Sequence, residues 1–133
     1  MNQKTKSTKL EMSIRWGEID SLGHLNNTQY FRYYEEARIH WFENIGIDYK
    51  SNFDIPILAT INCKFIKPIY YPCDLLIRSD IGKPGYSSFA MNQTIEDRKT
   101  KQVYSEAEAI MVWVDVQESK SQAMPDWFKK LFD

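Results

Sequence analysis

The sequence predicts an α+β domain: a five-stranded antiparallel sheet wrapped around one long central helix, with a short C-terminal helix. Three observations lead there. Only one long segment, 26–46, carries apolar residues at helical spacing between good caps. Five other segments alternate apolar and polar residues with a period of two, the pattern of half-buried strands. Helix and strands are segregated along the chain, and there are too few helices for a doubly wound sheet.

Residues 1–9 are polar and read as a disordered tail, with one domain over 10–133. Leu10, Met12, Ile14 and Trp16 alternate with Glu11, Ser13 and Arg15, giving a first strand that Gly17 ends. After a loop from Glu18 to Leu25, Asn26 is the expected N-cap, with Gln29 as its capping-box partner. Leu25 and Tyr30 can close a hydrophobic staple across that cap. Tyr30, Tyr34, Ala37, Trp41 and Ile45 then recur on one face, and Phe31, Tyr33 and Phe42 widen it, so the helix should be wrapped by the sheet. Glu35 and Arg38 are spaced as an ion pair, and Gly46 is the expected C-terminal stop.

Residues 47–55 read as a loop with room for one helical turn. In the second strand Ile57, Ala59, Ile61, Cys63 and Phe65 should share one face, and Leu58, Thr60, Asn62 and Lys64 the other. Pro68 and Pro72 bracket a turn before a third strand around Leu75, Ile77 and Ile81. Gly82-Lys83-Pro84-Gly85 turns into a fourth strand around Phe89, Met91 and Ile95. A charged turn at 97–101 leads to a long fifth strand, 103–116, in which Ala107 and Ala109 leave room for the helix. Its other face runs from polar (Glu106, Glu108) to apolar (Ile110, Val112, Val114) and suggests contact with a second subunit. Pro125 opens a last helical turn that Trp127, Phe128 and Leu131 should dock.

The 133 residues can bury a core without disulfide or metal support. A net charge of −1 gives no footprint for nucleic acid or an anionic membrane. Cys63 and Cys73 form neither a disulfide framework nor a metal-binding pair, and no run reaches membrane-spanning length. A cytoplasmic protein without metal or cofactor, not inserted in a membrane, is the expectation.

The loop from Glu18 to His24 sets two carboxylates and an imidazole just ahead of the helix. The first N–H groups of a helix lack partners and carry partial positive charge, so they can hold a developing oxyanion. An acid or histidine beside them can act as base or nucleophile on the same carbonyl. Asp20 and His24 are the candidates, with the Asn27 amide as oxyanion donor. Each has a plainer role as well: Asp20 can simply complement the helix terminus, His24 can satisfy the loop, and Glu18 can pair with Arg15.

The run Asp20, Gly23, His24, Asn26, Asn27, Tyr30, Tyr34, Glu35, Ala37, Arg38 resembles the opening signature of hotdog-fold acyl-CoA thioesterases of the 4-hydroxybenzoyl-CoA thioesterase type. The order of strand, long helix and four strands extends the likeness over most of the chain. The resemblance implies a hotdog fold, protomers paired edge to edge as a homodimer or homotetramer, and active sites at the interface. It implies an acyl-CoA substrate, Asp20 as the catalytic acid, the Asn27 amide as oxyanion donor, and His24 at a position that is often histidine. Gly23, Asn26, Tyr30 and Tyr34 would border the substrate, while Thr60 and Asn62 would reach a partner's site. Lys64, Lys67, Arg78 and Lys83 are basic candidates for coenzyme A. Leu22 stands where hotdog carrier-protein thioesterases often have Asn, which disfavours their strict mechanism. Two other functions remain compatible: hydration of an enoyl thioester, although the Asn-Pro usual between Asp and His in that group is missing, and acyl-thioester binding without turnover.

Overall fold

A computed structural model describes residues 6–50 and 54–133 of the chain. Strand β1 (Ser7–Ser13) is followed by a 3-10 turn, Trp16–Glu18, and helix α1 (Asn27–Ile45). Then come β2 (Asp54–Phe65), β3 (Asp74–Ile81), β4 (Ser88–Asp97), β5 (Val103–Asp115), the two-residue β6 (Lys120–Ser121) and helix α2 (Asp126–Lys130). All pairings are antiparallel, in the order β1-β3-β4-β5-β2, with β6 beside the end of β5. This is the hotdog arrangement, with β6 as a sixth strand that the sequence did not announce.

The strand β1 starts at Ser7, so Ser7, Thr8 and Lys9 of the expected tail are paired with Asp80, Ser79 and Arg78. Residues 1–5 of that tail, and 51–53 of the expected 47–55 loop, lie outside the described residues. Trp16 leaves the strand pattern: it stands in the 3-10 turn and is 75% exposed.

The sheet encloses α1 with two clusters of side chains. One gathers Leu25, Tyr30, Tyr33, Tyr34 and Ala37 against Leu75, Ile77, Ile95 and Ala107. The other gathers Trp41 and Phe42 against Phe89, Met91, Ala109, Met111, Trp113 and Phe128. Ala107 belongs to the cluster of Tyr34, and Ala109 to that of Trp41. The helix backbone itself comes nearest β3 and β1. The alanines therefore make room for large helix side chains rather than for the helix axis.

Strands β3, β4, β5 and the short β6 follow one another as hairpins; the 66–73 connection instead carries the chain from β2 at one edge towards β3 at the far side. Strand β5 is thus interior, flanked by β4 and β2, and β2 is one edge of the sheet with β1 at the other. Pro56 sits in β2, a position a proline tolerates only at an edge. The register shifts between Leu58 and Thr60, leaving Ala59 unpaired. Ile57 lies opposite Val112 and faces out, while Leu58 lies opposite buried Met111 and faces in. Beyond the bulge Ile61 and Cys63 face in as expected. The five residues expected on one face of β2 are therefore split by a bulge that alternation alone does not reveal.

Candidate active site at the helix N-terminus

The loop before α1 is a small hairpin. Ile19 bridges Leu25, the Asp20 N–H donates to the His24 carbonyl (3.0 Å), and the Gly23 N–H donates to the Asp20 carbonyl (3.0 Å). Gly23 has φ +90°, which a residue with a side chain adopts only with strain, so glycine sets this turn. Residues opposite one another in an antiparallel pair project to the same side, so the hairpin brings Asp20 and His24 together. The Leu25 N–H donates to the Ile69 carbonyl (2.8 Å) and the Asn26 N–H to the Glu18 carbonyl (3.1 Å), fastening the hairpin to the 66–73 connection and to the 3-10 turn.

Asn26 caps the helix through its side chain, but its Oδ1 accepts from Thr28 N–H (2.9 Å) and Thr28 Oγ1 (2.8 Å). Gln29 gives only its backbone N–H, to the Asn26 carbonyl, so the expected capping box is not formed. The cap skips Asn27, whose N–H has no acceptor among the described residues. A free donor therefore remains at the positive end of a 19-residue helix.

Asp20 is half-buried. Its Oδ1 accepts from Leu22 N–H (2.9 Å), and Oδ2 has no partner among the described residues. Glu18 is used structurally: its Oε1 accepts from Arg15 N–H (2.8 Å) and from the Tyr33 hydroxyl (2.5 Å). Burial, then the Glu18 carboxylate, push the Tyr33 phenol's pKa up. Glu18 bonds the backbone of Arg15, and no Glu18–Arg15 side-chain pair forms among the described residues.

Two recesses flank this helix terminus. The first, about 250 Å³, has His24, Asn27 and Tyr30 on one side and Phe65, Ile66, Lys67 and Pro68 on the other. The second, about 290 Å³, runs along α1 past Thr28, Phe31, Arg32, Glu35 and Arg38, walled by Leu58 and Ile61 of β2. The rings of Phe31 and Phe65 meet edge to face at 6.2 Å and form the partition between them. Asp20 is not among the residues lining either recess, whereas His24, opposite it in the hairpin, lines the first.

The other expected site residues separate. Tyr30 is buried, lines the first recess and packs against Phe65 at 4.9 Å; burial pushes its pKa up to about 12, so it is a neutral phenol. Tyr34 is 0% exposed and donates to Ser105 Oγ (2.7 Å), which makes it a core residue away from both recesses. Thr60 and Asn62 face outward, and Asn62 lines a recess on the outer sheet face with Lys64, Asn92, Thr94 and Glu106. Among the basic candidates Lys67 alone joins the first recess, whereas Arg78 is paired with Glu96 (3.1 Å). Glu35 and Arg38 form no ion pair; Arg38 is buried and donates to Gln93 Oε1 (3.3 Å). The Phe31–Phe65 contact could not be read from local sequence, because Phe65 arrives from a strand 34 positions away.

The family model of the thioesterase-like superfamily matches residues 14–132. The chain belongs to that superfamily. Its members are thioester hydrolases, and the superfamily places this chain among them. In solved structures this superfamily member is similar to the PA2801 protein of Pseudomonas aeruginosa, a candidate thioesterase, at 32% identity and a TM-score of 0.87 over 94% of this chain and 97% of that one. It also shares its fold with a 4-hydroxybenzoyl-CoA thioesterase mutant, Asn for Asp, complexed with 4-hydroxybenzoyl-CoA: 17% identity, TM-score 0.83, 96% and 99% covered. The protein YsmA of Bacillus subtilis, of uncharacterised function, is 25% identical over 116 residues, 87% of this chain and 78% of its own.

Proposed function

We propose that this superfamily member is an acyl-CoA thioesterase whose thioester carbonyl docks on the Asn27 amide. The uncapped Asn27 N–H carries the reading. It lies in a recess that adjoins a second groove, so a thioester laid across the helix terminus has one space for each of its arms. The amide meets oxygen charge as it develops, and the helix dipole of roughly +0.5 charge adds to it. Asp20, with Oδ2 unoccupied and Oδ1 fixed by Leu22, supplies the attack on the carbon, either directly or by taking a proton from water. His24 holds the carbonyl side of the same recess. Gly23 and Asn26 act through shape: one sets the hairpin, the other leaves Asn27 free.

The free edge of β2 supports a homodimer joined through that strand, because an uncovered edge with exposed Ile57 and Leu58 is a ready pairing surface. Thr60 and Asn62 of one copy would then approach the other copy's site. Lys67 is the favoured contact for coenzyme A phosphates.

Release of free thiol from short, long and aromatic acyl-CoAs by the purified protein tests the activity, with crotonyl-CoA hydration assayed beside it. Thiol release on at least one acyl class supports the reading. Hydration without thiol release would assign the site to the other reaction.

A further inference from the structure

Arg38 is 5% exposed, yet its guanidinium has no carboxylate within ion-pair distance among the described residues. Among the described residues its one hydrogen bond runs to Gln93 Oε1. Gln93 cannot turn to offer more: its Nε2 already donates to the Tyr34 carbonyl (3.2 Å) and to Ser79 Oγ (3.0 Å). Ser79 and Gln93 are themselves buried, so the amide is fixed with its oxygen towards Arg38. An arginine has five N–H donors and keeps its proton in a protein interior. Burial lowers the pKa of this one, with the Glu35 charge opposing, but a guanidinium so far above neutrality stays charged. Buried charges are as a rule paired, because leaving one unpaired is costly.

Arg38 lines the groove that runs from Thr28, one residue past the uncapped Asn27 amide. From Asn27 to Arg38 is eleven residues, about 16 Å along a helix axis. The side chain leans back towards the N-terminus and shortens that gap. Phe31, Leu58 and Ile61 give the groove an apolar stripe between the polar Thr28, Arg32 and Glu35, and Arg38 stands furthest along the helix from Thr28. Glu35 at the rim and the Tyr49 hydroxyl are the other polar groups that sense Arg38 electrostatically.

We propose that this groove selects acyl thioesters that end in a carboxylate, with Arg38 holding the distal acid; the proposal rests on the thioesterase reading for the position of the thioester. A carboxylate matches the planar fork of a guanidinium in a way a methyl or hydroxyl does not. Gln93 is the positioning residue that holds the fork towards the groove.

The test compares acyl-CoAs of equal length that end in a methyl, a hydroxyl or a carboxylate, over a series of chain lengths. Values of kcat/KM are measured with the thioesters and Kd with their non-hydrolysable thioether analogues. At a matching length the carboxylate-ended compound should be favoured about ten- to a hundredfold. Arg38→Met should abolish the preference and Arg38→Lys should retain part of it. Should Arg38→Met not fold, Glu35→Gln on the exposed rim keeps the test: removing that negative charge should widen the preference. Alkyl thioesters hydrolysed with no carboxylate preference at any length would overturn the proposal and leave the thioesterase reading standing. Tighter binding of carboxylate-ended thioethers without any hydrolysis would keep the Arg38 site and sink the thioesterase reading. Equal affinity for hydroxyl and carboxylate ends, or a preference that survives in a folded Arg38→Met, overturns it too, as it would if a second copy's carboxylate already fills the fork.

Discussion

Asp20 and Gly23 divide the work of the loop at the level of single residues. Gly23, at φ +90°, lets the hairpin close, and Asp20 is held by the turn that closure makes. A Cβ at Gly23 meets nothing within 4 Å, so the cost of Gly23→Ala is conformational rather than steric. It should lower stability by about 1–2 kcal/mol, the penalty of a left-handed residue with a side chain, and lower kcat more than KM. A denaturant melt beside steady-state kinetics checks both. Tyr33→Phe removes the hydroxyl from Glu18 while leaving the ring in the core. It should cost about 1 kcal/mol in the same melt. Asp20 was singled out from a local pattern, an acid four residues before a histidine just ahead of a strong N-cap, to which the family resemblance added weight; its catalytic role is a proposal. Arg38 was misread from a local pattern too. Its spacing from Glu35 suits an ion pair, and only the fold shows that the side chain turns inward to Gln93, which β4 supplies.

At the scale of elements, α1 was readable from end to end. Asn26 and Gly46 cap it as expected, with Gly46 left-handed at φ +93°. What sequence could not show is that the Asn26 cap bonds Thr28 rather than the third helical N–H, so that the expected capping box with Gln29 does not form. Asn26→Ala should destabilise the protein by about 1 kcal/mol, read as a shift in thermal midpoint. The bulge at Ala59 was hidden because alternation on both sides of it remains regular. The β4–β5 turn is ordered by Asp97, whose Oδ1 accepts from Lys99 N–H (2.8 Å) and Thr100 N–H (2.9 Å). Those bonds, the Thr100 one first, lower its pKa below the ordinary carboxylate value. A lowered folded pKa means stability that is complete above the unfolded carboxylate range and lost as pH falls through the lower folded value. Asp97→Asn should therefore flatten the acid limb of stability against pH, and an unchanged acid limb would show that the turn does not depend on this charge.

For the whole molecule, the hotdog arrangement follows from one helix too aromatic to lie on a flat sheet. Tyr30, Tyr33, Tyr34, Trp41 and Phe42 need cover on several sides, and a curved antiparallel sheet provides it. The sequence conveyed that need, but not the strand order, because edges are decided by long-range pairing. Placing β2 at the edge moves the expected subunit contact from β5 to β2. If copies join there, Ile57→Lys should halve the mass measured by sedimentation, and it should lower activity if the site needs both copies.

All these scales meet in the claim that Asp20 and the Asn27 amide act on one thioester carbonyl. The direct measurement is turnover of Asp20→Asn on every acyl-CoA that the unaltered protein cleaves, with circular dichroism and melting to confirm the fold. The expected result is a loss of about 10²–10⁴ in kcat with the fold unchanged, the span usual for a missing base. A folded Asp20→Asn protein that turns over each of those substrates at the full rate would contradict it.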